Sequence, residues 1–161
     1  MTDARDPQAK PVSASRVVLS HAMNPADANP LGSVHGGIIL RLVDEAGGVA
    51  AARHARRPAV TVAVDSMTFR SPVPIGSLVT FKASVNYAGT TSMEVGVRVE
   101  TENLLTGEVR HTSSAYLVYV ALDEKGQPSP VPRLIPETEE DRRRMAAAEA
   151  RMAARLRRRK G

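Results

Sequence analysis

His35–His54 reads HGGIILRLVDEAGGVAAARH and is the one strong helical segment in the body of the chain. Ile38, Ile39, Leu42, Val43, Ala46 and Val49 recur at helical spacing and are expected to face a core. Residues 37, 40, 41, 44, 47 and 48 share the other, broad face. Ahead of this segment, Arg16–Met23 (RVVLSHAM) reads as a first strand, and Asn24–Ser33 (NPADANPLGS) as a loop. Behind it, strand signals dominate. Val60–Phe69 is β-branched, Ser71–Gly76 is a turn cluster, and Leu78–Tyr87 is a further strand. Met93–Glu102 alternates cleanly, with Met93, Val95, Val97 and Val99 on one face. Hairpins at Gly89–Ser92 and Thr106–Gly107 lead to Glu108–Leu122, where Tyr116, Val118 and Val120 share a face. Strands do not alternate with helices, so a parallel sheet is not expected. The expected class is α+β: a curved antiparallel sheet wrapped around one long central helix.

The ends are different in kind. Residues 1–15 are polar, carry Pro7 and Pro11, and are expected to be disordered. Residues 16–136 form the domain, closing on the Pro-rich connector Gly126–Pro136. Residues 137–161 form a charged C-terminal helix, over roughly 138–159. Thr138 and Asp141 resemble a capping box, acids lead and Arg157–Lys160 trail as the helix dipole favours, and Met145, Ala148, Met152 and Leu156 make a thin apolar stripe. Such a helix is expected to lie, largely solvated, on the body or on a neighbouring subunit.

Charge follows the same division. The net charge is +5, but residues 137–161 hold nine basic and five acidic residues, which leaves thirteen and twelve for the rest. The basicity belongs to the tail, and a nucleic-acid partner is not expected. Aromatic residues make up only 3% of the 161 residues, so a ring-lined surface for bases is not expected either. There is no cysteine, which excludes disulfides, thiol nucleophiles and Cys-ligated zinc. His21, His35, His54 and His111 have no ligand spacing, so no metal is expected. No run has signal-peptide or membrane-spanning character, and a cytoplasmic protein without a membrane partner is expected.

Chemistry concentrates around the central helix. Gly36 and Gly37 stand at its first turn, where backbone N–H groups have no intrahelical partner and the dipole is positive. Glycines let a substrate approach those donors without meeting a Cβ, and the donors can hold a developing oxyanion. Taken alone, the pair reads equally well as a close-packing device. Asp44, about two turns on, changes the balance. Aspartate is unfavourable in mid-helix, and its face carries Gly47 and Gly48, although a lone aspartate there would read as an ordinary exposed acid beside Arg41. Such a carboxylate can activate water as a general base or attack directly. Glu45 reads as an ordinary surface acid.

The run N-x6-G-G-x6-D from Asn29 to Asp44, followed by Glu45-Ala-Gly-Gly48 and Arg53-His54, resembles the hotdog acyl-CoA thioesterases. These include the cytosolic, brain-type long-chain acyl-CoA hydrolases and their single-domain bacterial relatives. The similarity continues through Val64–Phe69, Pro72–Gly76, Gly89–Met93, Tyr119–Asp123 and Val131–Glu139. The resemblance implies a hotdog fold and hydrolysis of fatty acyl-CoA to free acid and CoA without a cofactor. It places Asp44 on the catalytic carboxylate, Asn29 on a loop amide that orients thioester or water, and Gly36, with Gly37 beside it, on the oxyanion donor. The hairpin Gly89, Thr90, Thr91 and Ser92 falls near the CoA phosphates and pantetheine, although a plain turn explains these residues equally well. His35, a candidate for substrate binding, reads either as orienting a water or, more simply, as a structural histidine of the first turn. The resemblance further implies a homodimer with sites shared across its interface, and a trimer of dimers, hence a hexamer.

Two rivals remain at this stage. A hotdog enoyl-CoA hydratase or dehydratase would need a His beside an acid, as His35 with Asp44. A non-catalytic acyl-CoA-binding regulator would use the basic tail on nucleic acid. Because every catalytic candidate precedes residue 93, removing residues 140–161 is expected to spare turnover.

Overall fold

Helix α1 (Gly36–Ala55) starts and stops for local reasons. His35 is its N-cap, with Nδ1 accepting the N–H of Gly37 at 2.9 Å, which satisfies one of the first-turn donors. Its C-terminus ends on Arg56 in the left-handed region (φ 53°), whose N–H returns to the Ala52 carbonyl. The computed structural model describes residues 8–161, so the first seven residues of the segment expected to be disordered lie outside the described residues.

The strands are β1 (Lys10–Pro11), β2 (Val17–Ala22), β3 (Ala59–Phe69), β4 (Leu78–Ala88), β5 (Ser92–Glu102), β6 (Val109–Ala121) and β7 (Leu134–Ile135). Five of them form one antiparallel sheet in the order β2-β4-β5-β6-β3. Cross-strand register puts Phe81 opposite Val99, Val85 opposite Val95, and Val95 opposite Leu117. All five side chains are buried on the face that wraps α1. Against them α1 packs Ile39, Leu42, Val43, Ala46 and Ala50. Burying a residue such as Ile39 or Val43 stabilises by about 1.5–3 kcal/mol. With so few aromatics, the aliphatic pleat does most of the filling, and Phe81 and Tyr119 are the largest fully buried side chains.

The edges of the sheet differ. β2 is short. β3 is eleven residues long, pairs on one side only among the described residues, and exposes Val60, Val62 and Val64 at 43%, 55% and 47%. A long apolar strand edge is a template for pairing with another chain unless something covers it.

Three expectations need correction. Val49 was expected to face the core, but it is 39% exposed, while Gly47 is buried. Val49 lies on the 41-45-49-53 line of α1, which turns outward, and Arg41 pairs with Glu45 along it. Residues 10–15 are ordered rather than disordered. β1 pairs in parallel with β7, Val12 is buried, and Ser15 Oγ accepts the N–H of Val85 at 2.9 Å. Lys10 Nζ donates to the His54 carbonyl at 2.8 Å, near the C-terminal end of α1. These partners lie far along the chain, beyond the reach of local composition.

The third concerns the C-terminal helix α2 (Glu139–Lys160), which opens on a reciprocal capping box between Thr138 and Asp141. It is anchored to the outer face of the sheet rather than merely resting there. Arg151 donates from Nη2 to Glu94 Oε1 at 2.7 Å and from Nε to Oε2 at 3.1 Å, and its guanidinium lies 3.7 Å from the centroid of the Tyr116 ring. Glu94 is fully buried. Removing residues 140–161 strips that carboxylate of its cation, so the truncation is expected to destabilise the domain.

Candidate active site

The loop before α1 is folded on itself. Asn29 Oδ1 accepts the N–H groups of Leu31 and Ser33, its Nδ2 donates to Ser33 Oγ at 3.0 Å, and its own N–H reaches the Ser33 carbonyl. Gly32 closes the turn at φ 86°, a conformation that favours glycine. The Asn29 oxygen is therefore committed, and a second Nδ2–H is what remains to offer a ligand. His35 donates its backbone N–H to the Asp27 carbonyl, which fixes the loop to the helix start.

The two first-turn glycines are not equivalent. The Gly37 N–H is spent on His35 Nδ1, and a Cβ at Gly37 would approach that nitrogen to 3.0 Å. Gly37 is thus no free oxyanion donor; it makes room for the cap. The Gly36 N–H has no acceptor among the described residues and is exposed beside the Phe69 ring. His35 likewise serves first as a cap, leaving only its exposed Nε2 side for a ligand.

Asp44 lies about 12 Å along α1 from Gly36, at ~1.5 Å per residue. It is half-buried, and its partners are two hydroxyls that sequence reading did not single out. Thr61 Oγ1 on β3 donates to Asp44 Oδ1 at 2.6 Å, and Tyr119 Oη on β6 approaches the same oxygen at 3.0 Å. Tyr119 also donates to the Asp44 main-chain carbonyl at 2.9 Å. Burial, then the negative charge of Asp44 and the hydrogen bond to it, push the Tyr119 phenol well above its ordinary range, so it stays a proton donor. The signal available in the sequence was Gly47, a helical position kept bare under something large.

No histidine touches Asp44 among the described residues. His54 is buried with Nε2 on the Pro132 carbonyl, and burial lowers its pKa. His111 is held by Ser113 and Ser114. No group of three or more His, Cys, Asp or Glu side chains converges as a metal site among the described residues. No described helix is long and apolar enough to cross a membrane.

At the hairpin Gly89–Ser92, the Thr90 carbonyl accepts the Val131 N–H and the Thr91 carbonyl accepts the Ala121 N–H. Thr91 and Ser92 line a cavity of about 520 Å3 on the outer face, together with Arg155 and Arg159 of α2. A second outer cavity, about 450 Å3, lies under the first half of α2. Neither includes Asp44, which faces the other side of the sheet beside the β3 edge.

A long helix wrapped by a five-stranded antiparallel sheet defines the hotdog fold class. The thioesterase superfamily profile matches residues 31–108. The chain is 41% identical to the VdlD protein of Helicobacter pylori over 143 residues, covering 89% of this chain and 82% of that one. It is 41% identical to a Bacillus subtilis protein named as an acyl-CoA thioester hydrolase, over 79% and 74% of the two chains. A hexameric acyl-CoA thioesterase solved without ligand superposes with TM-score 0.91 at 41% identity, over 94% of this chain and 97% of that one. An acyl-CoA hydrolase from Staphylococcus aureus, solved with butyryl coenzyme A and coenzyme A, superposes with TM-score 0.87 at 32% identity, over 93% and 92%. The chain belongs to the acyl-CoA thioester hydrolases of the thioesterase superfamily.

Proposed function

We propose that this hydrolase cleaves fatty acyl-CoA to free acid and CoA at sites shared between two protomers. The carrying observation is the separation within one chain. The free Gly36 N–H and the Asn29 amide lie at one end of α1, and Asp44 lies about two turns away, beside an unpaired apolar strand edge. Two α1 helices related by a two-fold axis, with their β3 edges paired, would bring the start of one beside the middle of the other. Each homodimer would then hold two sites, and three such dimers would make the hexamer.

In the proposed reaction, the Gly36 N–H polarises the thioester carbonyl and Asn29 Nδ2 orients thioester or water. Asp44 takes a proton from water as the hydroxide adds to the carbonyl carbon. The tetrahedral oxyanion then collapses, the C–S bond breaks, and the CoA thiolate recovers that proton from Asp44. These groups complete the reaction without a cofactor or a metal. The CoA phosphates are assigned to the Gly89–Ser92 hairpin, where hydroxyls and cations share a cavity, and the cytoplasm is the proposed location.

Alanine variants of the Staphylococcus aureus hydrolase at an asparagine, an aspartate and a threonine, spaced along that chain as Asn29, Asp44 and Thr61 are here, were chosen for structure determination. This supports treating those three positions as one site. The test is Asp44→Asn, with thiol release followed on a panel of acyl-CoA chain lengths. Turnover is expected to fall at least ~100-fold, as for loss of a general base; near wild-type release would contradict the assignment.

A further inference from the structure

The two oxygens of the Asp44 carboxylate are treated unequally. Oδ1 accepts from Thr61 Oγ1 and lies within hydrogen-bond distance of Tyr119 Oη, while Oδ2 has no partner among the described residues. Tyr119 is 1% exposed, and its ring passes under α1 where Gly47 stands. A Cβ at Gly47 would come within 3.0 Å of Tyr119 Cζ and closer still to Oη. Alanine is a better helix former than glycine on propensity alone, so this bare position is explained by the phenol it admits.

We infer that Tyr119 is a positioning residue, seated by Gly47, whose hydroxyl ties Asp44 Oδ1 and its main-chain carbonyl together so that Oδ2 is the oxygen that works on water. The inference rests on the reading of Asp44 as the catalytic carboxylate. A carboxylate on a free χ2 would sample orientations in which neither oxygen faces the reacting carbon. Two donors on one oxygen remove that freedom without neutralising the charge, because both are hydroxyls. The single phenolic proton is shared between Oδ1 and the backbone carbonyl, which ties the side chain to the helix that carries it. A hydroxyl used only to satisfy the core would need just one of these acceptors.

The experiment compares wild type, Asp44→Asn, Tyr119→Phe, Gly47→Ala and Tyr119→Phe/Gly47→Ala by steady-state thiol release on one acyl-CoA, with thermal melting alongside. Tyr119→Phe keeps the ring, so the fold is expected to persist. Its kcat is expected to fall about 10- to 100-fold, as for one hydrogen bond to a charged group, with KM within about twofold. Gly47→Ala is expected to show the same loss, because its methyl displaces the phenol. The double variant is expected to be no slower than Tyr119→Phe alone, since the hydroxyl that Gly47 accommodates is already gone. A Tyr119→Phe enzyme with lowered melting temperature but wild-type kcat would overturn the inference, leaving Tyr119 a core residue. So would a Gly47→Ala penalty that multiplies with that of Tyr119→Phe. The parent reading fails separately, through an active Asp44→Asn or an inactive wild type.

Discussion

The two faces of the sheet each meet a carboxylate, Glu94 fully buried and Asp44 half-buried, and they hold it in opposite ways. On the outer face, Glu94 has both oxygens taken by the Arg151 guanidinium, and the pair is stacked on Tyr116. On the inner face, Asp44 has one oxygen held by neutral hydroxyls and the other without a partner among the described residues. A bidentate cation saturates a carboxylate and turns it into a fastener. Hydroxyl donors orient a carboxylate and leave it a lone pair to use. What sits on each oxygen separates the fastener Glu94 from Asp44, the proposed catalytic acid.

Isosteric amides break the comparison most sharply. Asp44→Asn is expected to abolish most turnover while leaving the melting temperature close to wild type, because asparagine can still accept from Thr61. Glu94→Gln is expected to do the reverse: stability falls by roughly 2 kcal/mol, less than for breaking a fully buried pair because Arg151 is partly exposed, and turnover per folded molecule is kept. Denaturant melts and active-site-normalised kinetics on both variants would check it; a stable Glu94→Gln would show that the pair is not a fastener. Removing residues 140–161 should be at least as destabilising as Glu94→Gln, measured the same way.

A smaller effect concerns pH. His54 is buried as a neutral ring, and burial lowers its pKa from 6.5. The unfolded chain therefore binds more protons below pH 6.5. The stability contributed by the neutral ring is present above about pH 6.5 and declines as pH falls from there toward the lowered folded value. Urea midpoints between pH 7.5 and 5.5 should drop more steeply in the wild type than in His54→Gln. The smallest effect is expected at the helix start. His35→Ala removes the cap from the Gly37 N–H and should cost about 1 kcal/mol of stability, with kcat nearly unchanged; a large kcat loss would restore His35 to the reaction.

Much of this was legible before any coordinates. The strands from residue 59 to 121 and α1 announce themselves within a residue or two of where they lie, β5 and α1 by the period of their apolar residues and the other strands by β-branched runs bounded by turn signals. Thr138 with Asp141 is a local motif and formed as a local motif. Asp44 and Gly36 stood out as residue types that a structural helix does not prefer, whereas Asn29, in the loop before α1, was named only through the family resemblance. What could not be read depends on long-range neighbours. Tyr119 lies seventy-five residues from Asp44, and Glu94 fifty-seven from Arg151; nothing in the alternation of β5 or β6 says which polar group the sheet will bring opposite which. The order of residues 10–15 is borrowed from β7 and β4 in the same way. The difference between Gly36 and Gly37 turned on one side-chain rotamer, that of His35.

The proposal that two protomers share each site can be tested most directly by complementation. Asn29→Ala and Asp44→Ala are each expected to be inactive as homodimers. When the two are unfolded together and refolded as a mixture, half the dimers are mixed, and in each of these one site carries both lesions while the other carries none. Thiol release from the refolded mixture is expected to recover to roughly a quarter of wild type, given isologous pairing. If Asn29 and Asp44 of the same chain served one site, every site would carry a lesion, and no activity would return even with mixed dimers confirmed by mass.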